Sequence, residues 1–113
     1  MPADTNHLGV LHGGHMLSWM DMAAWVVAAR AVQPDQRVMF KAVTDCVWTA
    51  PLHAGEVCNV DAVLGEVGTS SLAVNLVATG EDPRRKATWE VCTARFTMVA
   101  AGADGRPEPV RPA

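Results

Sequence analysis

One stretch of this chain is apolar on almost every side of a helix, and it constrains the fold more than any other feature. Residues 15–32 contain no proline or glycine, and their Ala, Met, Leu and Trp favour a helix that Pro34 ends. Within residues 16–29 only Ser18 and Asp21 are conspicuously polar, and Asp21 is the sole charge. A surface helix would carry a polar face. This helix therefore needs cover on more than one side, which a second copy of the chain would supply.

The composition limits the chain to one folded domain. It has 113 residues, of which 50% are hydrophobic and 19% charged, and such a balance argues against disorder. The net charge of −3 and the scattered basic residues exclude a nucleic-acid footprint. We expect a single domain over residues 1–100. The tail over residues 101–113 contains three prolines and two glycines, so we expect it to be extended or disordered.

Targeting, membrane and cysteine patterns all favour a soluble, cytoplasmic protein. Residues 1–6 are polar and lack the apolar core of a signal peptide. The apolar run at residues 22–29 is far shorter than the roughly 20 residues that span a bilayer. The chain has an odd number of cysteines, Cys46, Cys58 and Cys92. They form no C-x-x-C pair, and each lies in an apolar segment. We expect them to be buried core residues in a reducing compartment.

Four segments after the helix alternate between apolar and polar residues, which predicts strands. They cover residues 38–50, 56–67, 70–79 and 87–100, with turn signals between them. The faces predicted to point inward are Val38, Phe40, Ala42, Thr44, Cys46, Trp48 and Ala50; Cys58, Val60, Ala62 and Leu64; Leu72, Val74, Leu76 and Ala78; and Cys92, Ala94, Phe96 and Met98. The helix is the only candidate to cover this sheet, and strands of such length should curve around it. The predicted fold class is α+β.

The carboxyl group of Asp21 is the first candidate functional group. Taking a carboxylate out of water costs several kcal/mol unless it is paired or hydrogen-bonded. One interpretation is structural: Asp21 bonds Ser18 or a tryptophan N–H and fixes the position of the helix. The other is chemical: Asp21 acts as a general base or a nucleophile.

The glycine pair before the helix is the second candidate. Gly13 and Gly14 leave backbone N–H groups at the positive end of the helix dipole, which suits a developing oxyanion, although paired glycines also simply form tight loops. No phosphate-binding glycine pattern is present. His7, His12 and His15 lie close together, but no carboxylate stands at metal-motif spacing, so we predict no metal site and favour a histidine that shapes the pocket.

Residues 2–21 strongly resemble the signature of the hotdog-fold acyl-CoA thioesterases, the acyl-CoA hydrolase family. That signature is P-x-D-T-N-x-x-G, then G-G, then M-D with the aspartate seven residues after the second glycine, as Gly14 and Asp21 are here. Further matches follow in the same order: P-x-x-x-G-E at residues 51–56, V-G-T-S-S at 67–71, F-T-M-V-A at 96–100 and G-R-P at 105–107. The resemblance covers nearly the whole chain.

The resemblance implies a hotdog fold, in which a curved antiparallel sheet wraps around one central helix. It also implies a homodimer, possibly a trimer of dimers, with a composite active site at the dimer interface. Family members usually carry a strand before the P-x-D-T-N motif, and this chain starts at that motif. We therefore expect four strands, with the family's usual first strand absent.

The implied activity is hydrolysis of an acyl-CoA thioester to the free acid and coenzyme A. Asn6 resembles the family's loop asparagine. Asp21 resembles the helix carboxylate that the partner subunit supplies in the family. The N–H of Gly14 would polarise the thioester oxygen. The implied substrate- and coenzyme-A-binding residues are His12, Gly13, Gly68, Thr69, Ser70 and Ser71. A weaker candidate for the 3′-phosphate of coenzyme A is the basic turn Arg84, Arg85 and Lys86, for which a solvated turn is the preferred interpretation. No metal and no cofactor is expected, because coenzyme A is part of the substrate and product.

Two alternatives remain open at this point. The L-H-G-G motif with an aspartate seven residues later also resembles the phenylacetyl-type hotdog thioesterases, which implies aromatic or short-chain acyl groups. A non-catalytic protein that binds acyl-CoA is the alternative outside enzymes, and the presence of both Asn6 and Asp21 argues against it. A hotdog dehydratase is disfavoured because His12 is misplaced for that chemistry.

Overall fold

The chain folds into one helix followed by four antiparallel strands. The computed structural model describes residues 13–113. Helix α1 spans Gly13–Ala31, and the strands are β1 (Arg37–Trp48), β2 (Val57–Val67), β3 (Ser71–Asp82) and β4 (Ala87–Ala101). They form one sheet in the order β1-β4-β3-β2. The predicted α+β class and four strands are confirmed for the described residues.

The core lies between α1 and one face of this sheet. Four α1 side chains at four-residue spacing are completely buried: Met16, Met20, Ala24 and Ala28. They pack against the inward faces of β3 and β4, where the predicted alternation is confirmed by the burial of Leu72, Val74, Leu76, Ala78, Cys92, Ala94, Phe96 and Met98. Because the helix buries this stripe in the sheet, its opposite side is left to the solvent. No helix in residues 13–113 is long and apolar enough to cross a membrane.

Strand β1 departs from the predicted alternation at two bulges. The first lies between the pairs Phe40–Met98 and Ala42–Thr97, so that Lys41 is the extra residue. An extra residue reverses which side chains face inward. As a result Val43 rather than Thr44 packs against the core, and the predicted inward face of β1 is wrong from here to the second bulge, after which Trp48 pairs with inward-facing Cys92 as the alternation predicts.

The second bulge explains where the cysteine prediction fails. It lies between Thr44 and Val47, and Asp45 adopts a left-handed backbone conformation there with φ of 51°. Cys46 is consequently exposed, contrary to its predicted burial, whereas Cys58 is half-buried and Cys92 is buried. Burial raises the pKa of the Cys92 thiol to about 12, with smaller contributions from Cys46 and Glu90.

We therefore expect the cysteines to differ in reactivity with a thiol-alkylating reagent. Because thiolates are the reacting species, Cys92 should remain unmodified in the folded protein at pH 8, while exposed Cys46 reacts first. Peptide mass spectrometry after timed alkylation gives the order, and denaturant should abolish the difference. Equal labelling of Cys46 and Cys92 in the folded protein would contradict this account of β1.

The hairpin between β3 and β4 is longer than predicted because a glycine allows an indole ring to cover the strand. Strand β3 continues to Asp82, three residues beyond the end predicted at residue 79. A Cβ atom on Gly80 would lie 2.5 Å from Cε2 of Trp89. The ring is held in place because its Nε1–H donates a hydrogen bond to the Pro51 carbonyl at 3.3 Å.

Gly80→Ala should therefore destabilise the fold by about 1–3 kcal/mol, the usual cost of overpacking a filled site. Gly65→Ala is the matched control, because its Cβ would come closest to the end of the flexible Asn75 side chain, at 2.9 Å, and would otherwise make ordinary contacts with Ala73. Urea unfolding of the two variants measures the difference. A cost for Gly65→Ala as large as that for Gly80→Ala would show that the indole contact is not the cause.

The tail beyond β4 is extended and bound to the rest of the fold. Isolated bridges pair Ala101 with Pro107 and Val32 with Pro112. The buried amide of Gln36 donates to Glu108 Oε1 at 2.8 Å and to the Pro109 carbonyl at 2.9 Å. The N–H of Val110 donates to the Thr69 carbonyl at 2.7 Å, so the tail also lies beside the turn between β2 and β3, which carries several of the candidate site residues.

Candidate active site

The lone charge of the helix lines a cavity between α1 and β1. Asp21 follows Ser18 by three residues and Leu17 by four, so the three side chains share one helix face. Together with Phe40, Val43 and Phe96 they line a cavity of about 300 Å³. Asp21 is half-buried there. A carboxylate thus stands at the edge of an apolar recess that is open to a ligand.

The carboxylate of Asp21 has no partner among residues 13–113. Neither a hydrogen bond nor an ion pair joins it to another residue of that range. Ser18, the partner in the structural interpretation, makes no such bond, and the indole N–H of Trp89 is used by Pro51. The oxygens of Asp21 are therefore available to water or to a substrate, as the chemical interpretation requires.

Two aromatic rings form the wall of this cavity opposite the helix. Phe40 and Phe96 meet edge to face, with ring centroids 5.5 Å apart and an interplanar angle of 62°. Phe40 and Phe96 were both predicted to point inward, whereas the position of Val43 depends on the β1 bulge. The sequence analysis did not name Phe40 or Val43 as site residues, and for Val43 the reason is that alternation carries no signal for an inserted residue.

The glycine pair belongs to the helix itself. Helix α1 begins at Gly13, two residues before the predicted start at His15. In the first turn, the N–H groups of Gly13 and Gly14 have no carbonyl four residues earlier within the helix to bond. The two N–H groups therefore stay available as donors at the helix start, as predicted, although the glycines lie inside the first turn and not before the helix. Asn6 and His12 lie outside the described residues.

The predicted coenzyme A turn is tightly built. Gly68 N–H donates to the Ser71 carbonyl at 2.8 Å, and a Cβ on Gly68 would come within 2.6 Å of Ser71 Oγ. The carbonyl of Thr69 accepts from Val110 of the tail at 2.7 Å, and that of Ser70 from Ala100 at 2.8 Å. The turn is therefore fixed between the tail and β4.

The serines of this turn line a second cavity. Its volume is about 410 Å³, and it is lined by Met39, Phe40, Lys41, Ser70, Ser71, Val99 and Pro107. The pair Ser71–Val99 is three residues along the sheet from Val74–Phe96, a distance of about 10 Å. Because side chains alternate along β3 and β4, Ser71 and Val99 lie on the opposite face of the sheet from Val74 and Phe96, so within one chain the sheet separates this cavity from that of Asp21.

The basic turn lies far from both cavities. It follows the other end of β3, which has 12 residues, so it is roughly 36 Å from Ser71 along the strand. Asp82 Oδ1 accepts from the backbone N–H groups of Arg84 at 3.0 Å and Arg85 at 3.4 Å. Arg84, Arg85 and Lys86 are all exposed. The structure favours a solvated turn and does not bring these residues to the cavities within one chain.

Residues 8–87 match the family model described as the Thioesterase superfamily. This chain belongs to the thioesterase superfamily. An uncharacterized acyl-CoA thioester hydrolase of Zymomonas mobilis is 32% identical over 112 residues, which are 99% of this chain and 74% of that protein. Acyl-coenzyme A thioesterase 11 of Mus musculus is 30% identical over 100 residues, which are 88% of this chain but only 16% of that longer protein.

The fold comparison gives the same family. A hexameric hotdog-fold thioesterase of Campylobacter jejuni superposes with a TM-score of 0.86 at 28% identity, covering 97% of this chain and 84% of that one. The predicted hotdog fold and the predicted thioesterase class are confirmed for this thioesterase. The roles of its individual residues stay predictions.

Proposed function

We propose that this thioesterase hydrolyses acyl-CoA thioesters to a free acid and coenzyme A. The observation that carries the proposal is the unpartnered, half-buried carboxylate of Asp21 at an apolar cavity within residues 13–113, in a chain of the thioesterase superfamily. The apolar wall suits an acyl group, and the carboxylate suits attack on the thioester carbonyl. Relatives named acyl-CoA thioester hydrolases support the choice of substrate.

The reaction proceeds by addition to the carbonyl carbon and expulsion of a thiolate. Either Asp21 takes a proton from the attacking water, or its own oxygen attacks the carbonyl carbon and water later hydrolyses the mixed anhydride that is left once the thiolate has departed. Asn6 orients the water or the carbonyl, and the N–H of Gly14 stabilises the oxyanion. The carbon–sulfur bond then breaks and coenzyme A leaves as its thiolate. This scheme uses neither a metal nor a cofactor.

Coenzyme A binds along the turn that carries Gly68, Thr69, Ser70 and Ser71, with His12 and Gly13 at the helix start. The cavity of about 410 Å³ that Ser70 and Ser71 line supports this assignment. The basic turn at residues 84–86 is not part of the proposed subsite, given its distance along β3.

The site is composite and is completed by a second copy of the chain. Gly14 and Asp21 are seven residues apart on one helix, or about 10 Å along its axis. At that separation the N–H of Gly14 and the carboxylate of Asp21 do not both contact one carbonyl group. When Asp21 comes from one subunit and the oxyanion donor from another, both groups can reach the same carbonyl group. A homodimer, or a trimer of dimers, is supported by the hexameric relative from Campylobacter jejuni.

We expect a mass of at least twice 12.0 kDa by light scattering at micromolar concentration. The physical reason is the solvent side of α1, where Met22 is 67% and Trp25 52% exposed. Such apolar exposure is typical of a surface that another subunit covers. A monomeric mass would contradict the composite site.

The function is tested by incubating the full chain with a panel of acyl-CoA esters and measuring free coenzyme A by chromatography. Chromatography is preferred to a thiol reagent because exposed Cys46 would react with the reagent. Turnover of at least one ester is the expected result. Binding of the esters, measured by calorimetry, without release from any of them would support the non-catalytic alternative and overturn the proposal.

A further inference from the structure

The cavity of about 410 Å³ has one charged side chain in its lining, that of Lys41. Its other polar side chains are those of Ser70 and Ser71, and among residues 13–113 no aspartate or glutamate lines it. A cavity with one cation, two hydroxyl groups and no carboxylate favours an anionic ligand. The volume is within the roughly 300–1,000 Å³ found for ligand pockets.

These three side chains have no partner in the part of the chain that the structure describes. Neither a hydrogen bond nor an ion pair joins the ammonium group of Lys41, or the hydroxyl groups of Ser70 and Ser71, to another residue of that part. By contrast, the guanidinium group of Arg111 lies 2.6 Å from a carboxylate oxygen of Asp35. The polar groups of this cavity are therefore available to a ligand.

The β1 bulge and the order of the strands place Lys41 and the serines on two sides of a gap. Lys41 is the extra residue of that bulge, and bulges redirect a side chain. Strand β4 lies between β1 and β3, and Val99 pairs with Met39 on one side and with Ser71 on the other. The backbones of β1 and β3 are therefore about 10 Å apart. A small anion between them contacts the ammonium group from one side and the hydroxyl groups from the other.

We propose that this cavity binds a phosphate group of coenzyme A and that Lys41 supplies the cation for it. The inference rests on the proposed hydrolysis of acyl-CoA. Ammonium and hydroxyl groups are common ligands of phosphate oxygens. The pantetheine arm separates the phosphates of coenzyme A from its thioester, so the phosphate site does not have to adjoin the carboxylate of Asp21. In the composite site that carboxylate belongs to another subunit.

The test is the affinity of Lys41→Met for free coenzyme A, measured by isothermal titration calorimetry with the full chain. Methionine keeps an unbranched side chain and loses the charge. Lys41 is exposed, so the fold should tolerate the change. Binding should weaken by at least about tenfold, the order expected for a hydrogen bond to a charged group. Lys41→Arg, which keeps the charge, should bind coenzyme A nearly as the wild type does.

Ligands that lack phosphates distinguish a phosphate contact from a general effect of the substitution. Pantetheine, which has no phosphate, should bind equally to the wild type and to Lys41→Met. Equal losses of affinity for pantetheine and coenzyme A would overturn the inference. With 3′-dephospho-coenzyme A, equal binding by the two proteins would assign the cavity to the 3′-phosphate, and a persisting loss would assign it to the diphosphate. Both of these results support a phosphate site.

Lys86→Met is the matched control. Lys86 is also an exposed lysine, but it lies in the basic turn beyond the far end of β3. Its substitution changes the net charge by the same amount and should leave the affinity for coenzyme A unchanged. An equal loss in both variants would show that the overall charge of the chain attracts coenzyme A, and it would overturn the assignment to Lys41.

The outcomes separate this inference from the function on which it rests. If the wild type releases coenzyme A from its esters but Lys41→Met binds coenzyme A as the wild type does, the inference is wrong and the proposed function stands. If Lys41 sets the affinity for coenzyme A but no ester is hydrolysed, the phosphate site stands and the proposed hydrolysis fails. A wild type that does not bind coenzyme A would overturn both.

Discussion

Asp21→Asn is expected to lower kcat for coenzyme A release by about 10²–10⁴-fold, the contribution typical of a general base. Asparagine has nearly the same shape as aspartate but neither accepts a proton nor attacks a carbonyl at neutral pH. The fold should tolerate the change, because Asp21 is bonded to no other residue in the described part of the chain. Steady-state kinetics with the preferred ester gives kcat, and circular dichroism and light scattering check the fold and assembly.

Ser18→Ala is the control for this result. Ser18 lines the same cavity one turn earlier on α1 and has no role in the proposed chemistry. It should change kcat far less than Asp21→Asn does. If Asp21→Asn keeps the wild-type kcat, the carboxylate is not the reacting group and the structural interpretation of Asp21 becomes the better one.

Phe96→Ala is expected to have the largest effect on stability, about 3–5 kcal/mol, as for other buried phenylalanines. Phe96 is 1% exposed, pairs with Val43 on one side and Val74 on the other, and is among the largest fully buried side chains. Its removal would leave a cavity in the centre of the sheet beneath α1. Urea unfolding monitored by tryptophan fluorescence measures the loss.

Phe40→Ala is the comparison for Phe96→Ala, because it removes the other ring of the same edge-to-face pair. Half of Phe40 is already in contact with solvent, so its truncation should cost clearly less than that of Phe96. Equal losses of stability in the two variants would contradict the assignment of Phe96 to the core and Phe40 to the site wall.

The inward faces of β3 and β4 could be predicted because residues 72–78 and 92–98 alternate strictly, and the bulge of β4 at Val91 lies just before that stretch. Leu76 and Phe96 lie where the period of two places them. Strand β1 could not be predicted in the same way. Its bulges at Lys41 and Asp45 leave the hydrophobic pattern of the sequence nearly unchanged while they shift which side chains face inward, so Cys46 is exposed although its thiol lies beside that of Cys92.

The candidate site was predictable only in part, for a related reason. Asp21 stood out as the single charge in an apolar helix, and that signal is local. The walls around it come from α1, β1 and β4, so their meeting depends on strand pairing that no local pattern specifies. The roles of Asn6 and Gly14 came from the family resemblance. The basic turn at residues 84–86 is an example of a local signal that misleads. Its charge suggested a contact with phosphate, but its position at the far end of β3 disfavours that contact.

The central claim is that Asp21 of one subunit and Asn6 of another act on the same thioester, and complementation tests it most directly. Asn6→Ala and Asp21→Asn proteins are purified separately, mixed under conditions where native mass spectrometry shows subunit exchange, and assayed for coenzyme A release. Each variant alone should be nearly inactive. The mixture should recover about a quarter of the wild-type activity, because half of randomly formed dimers contain one intact and one doubly altered site. Exchange without any recovery of activity would contradict the shared site.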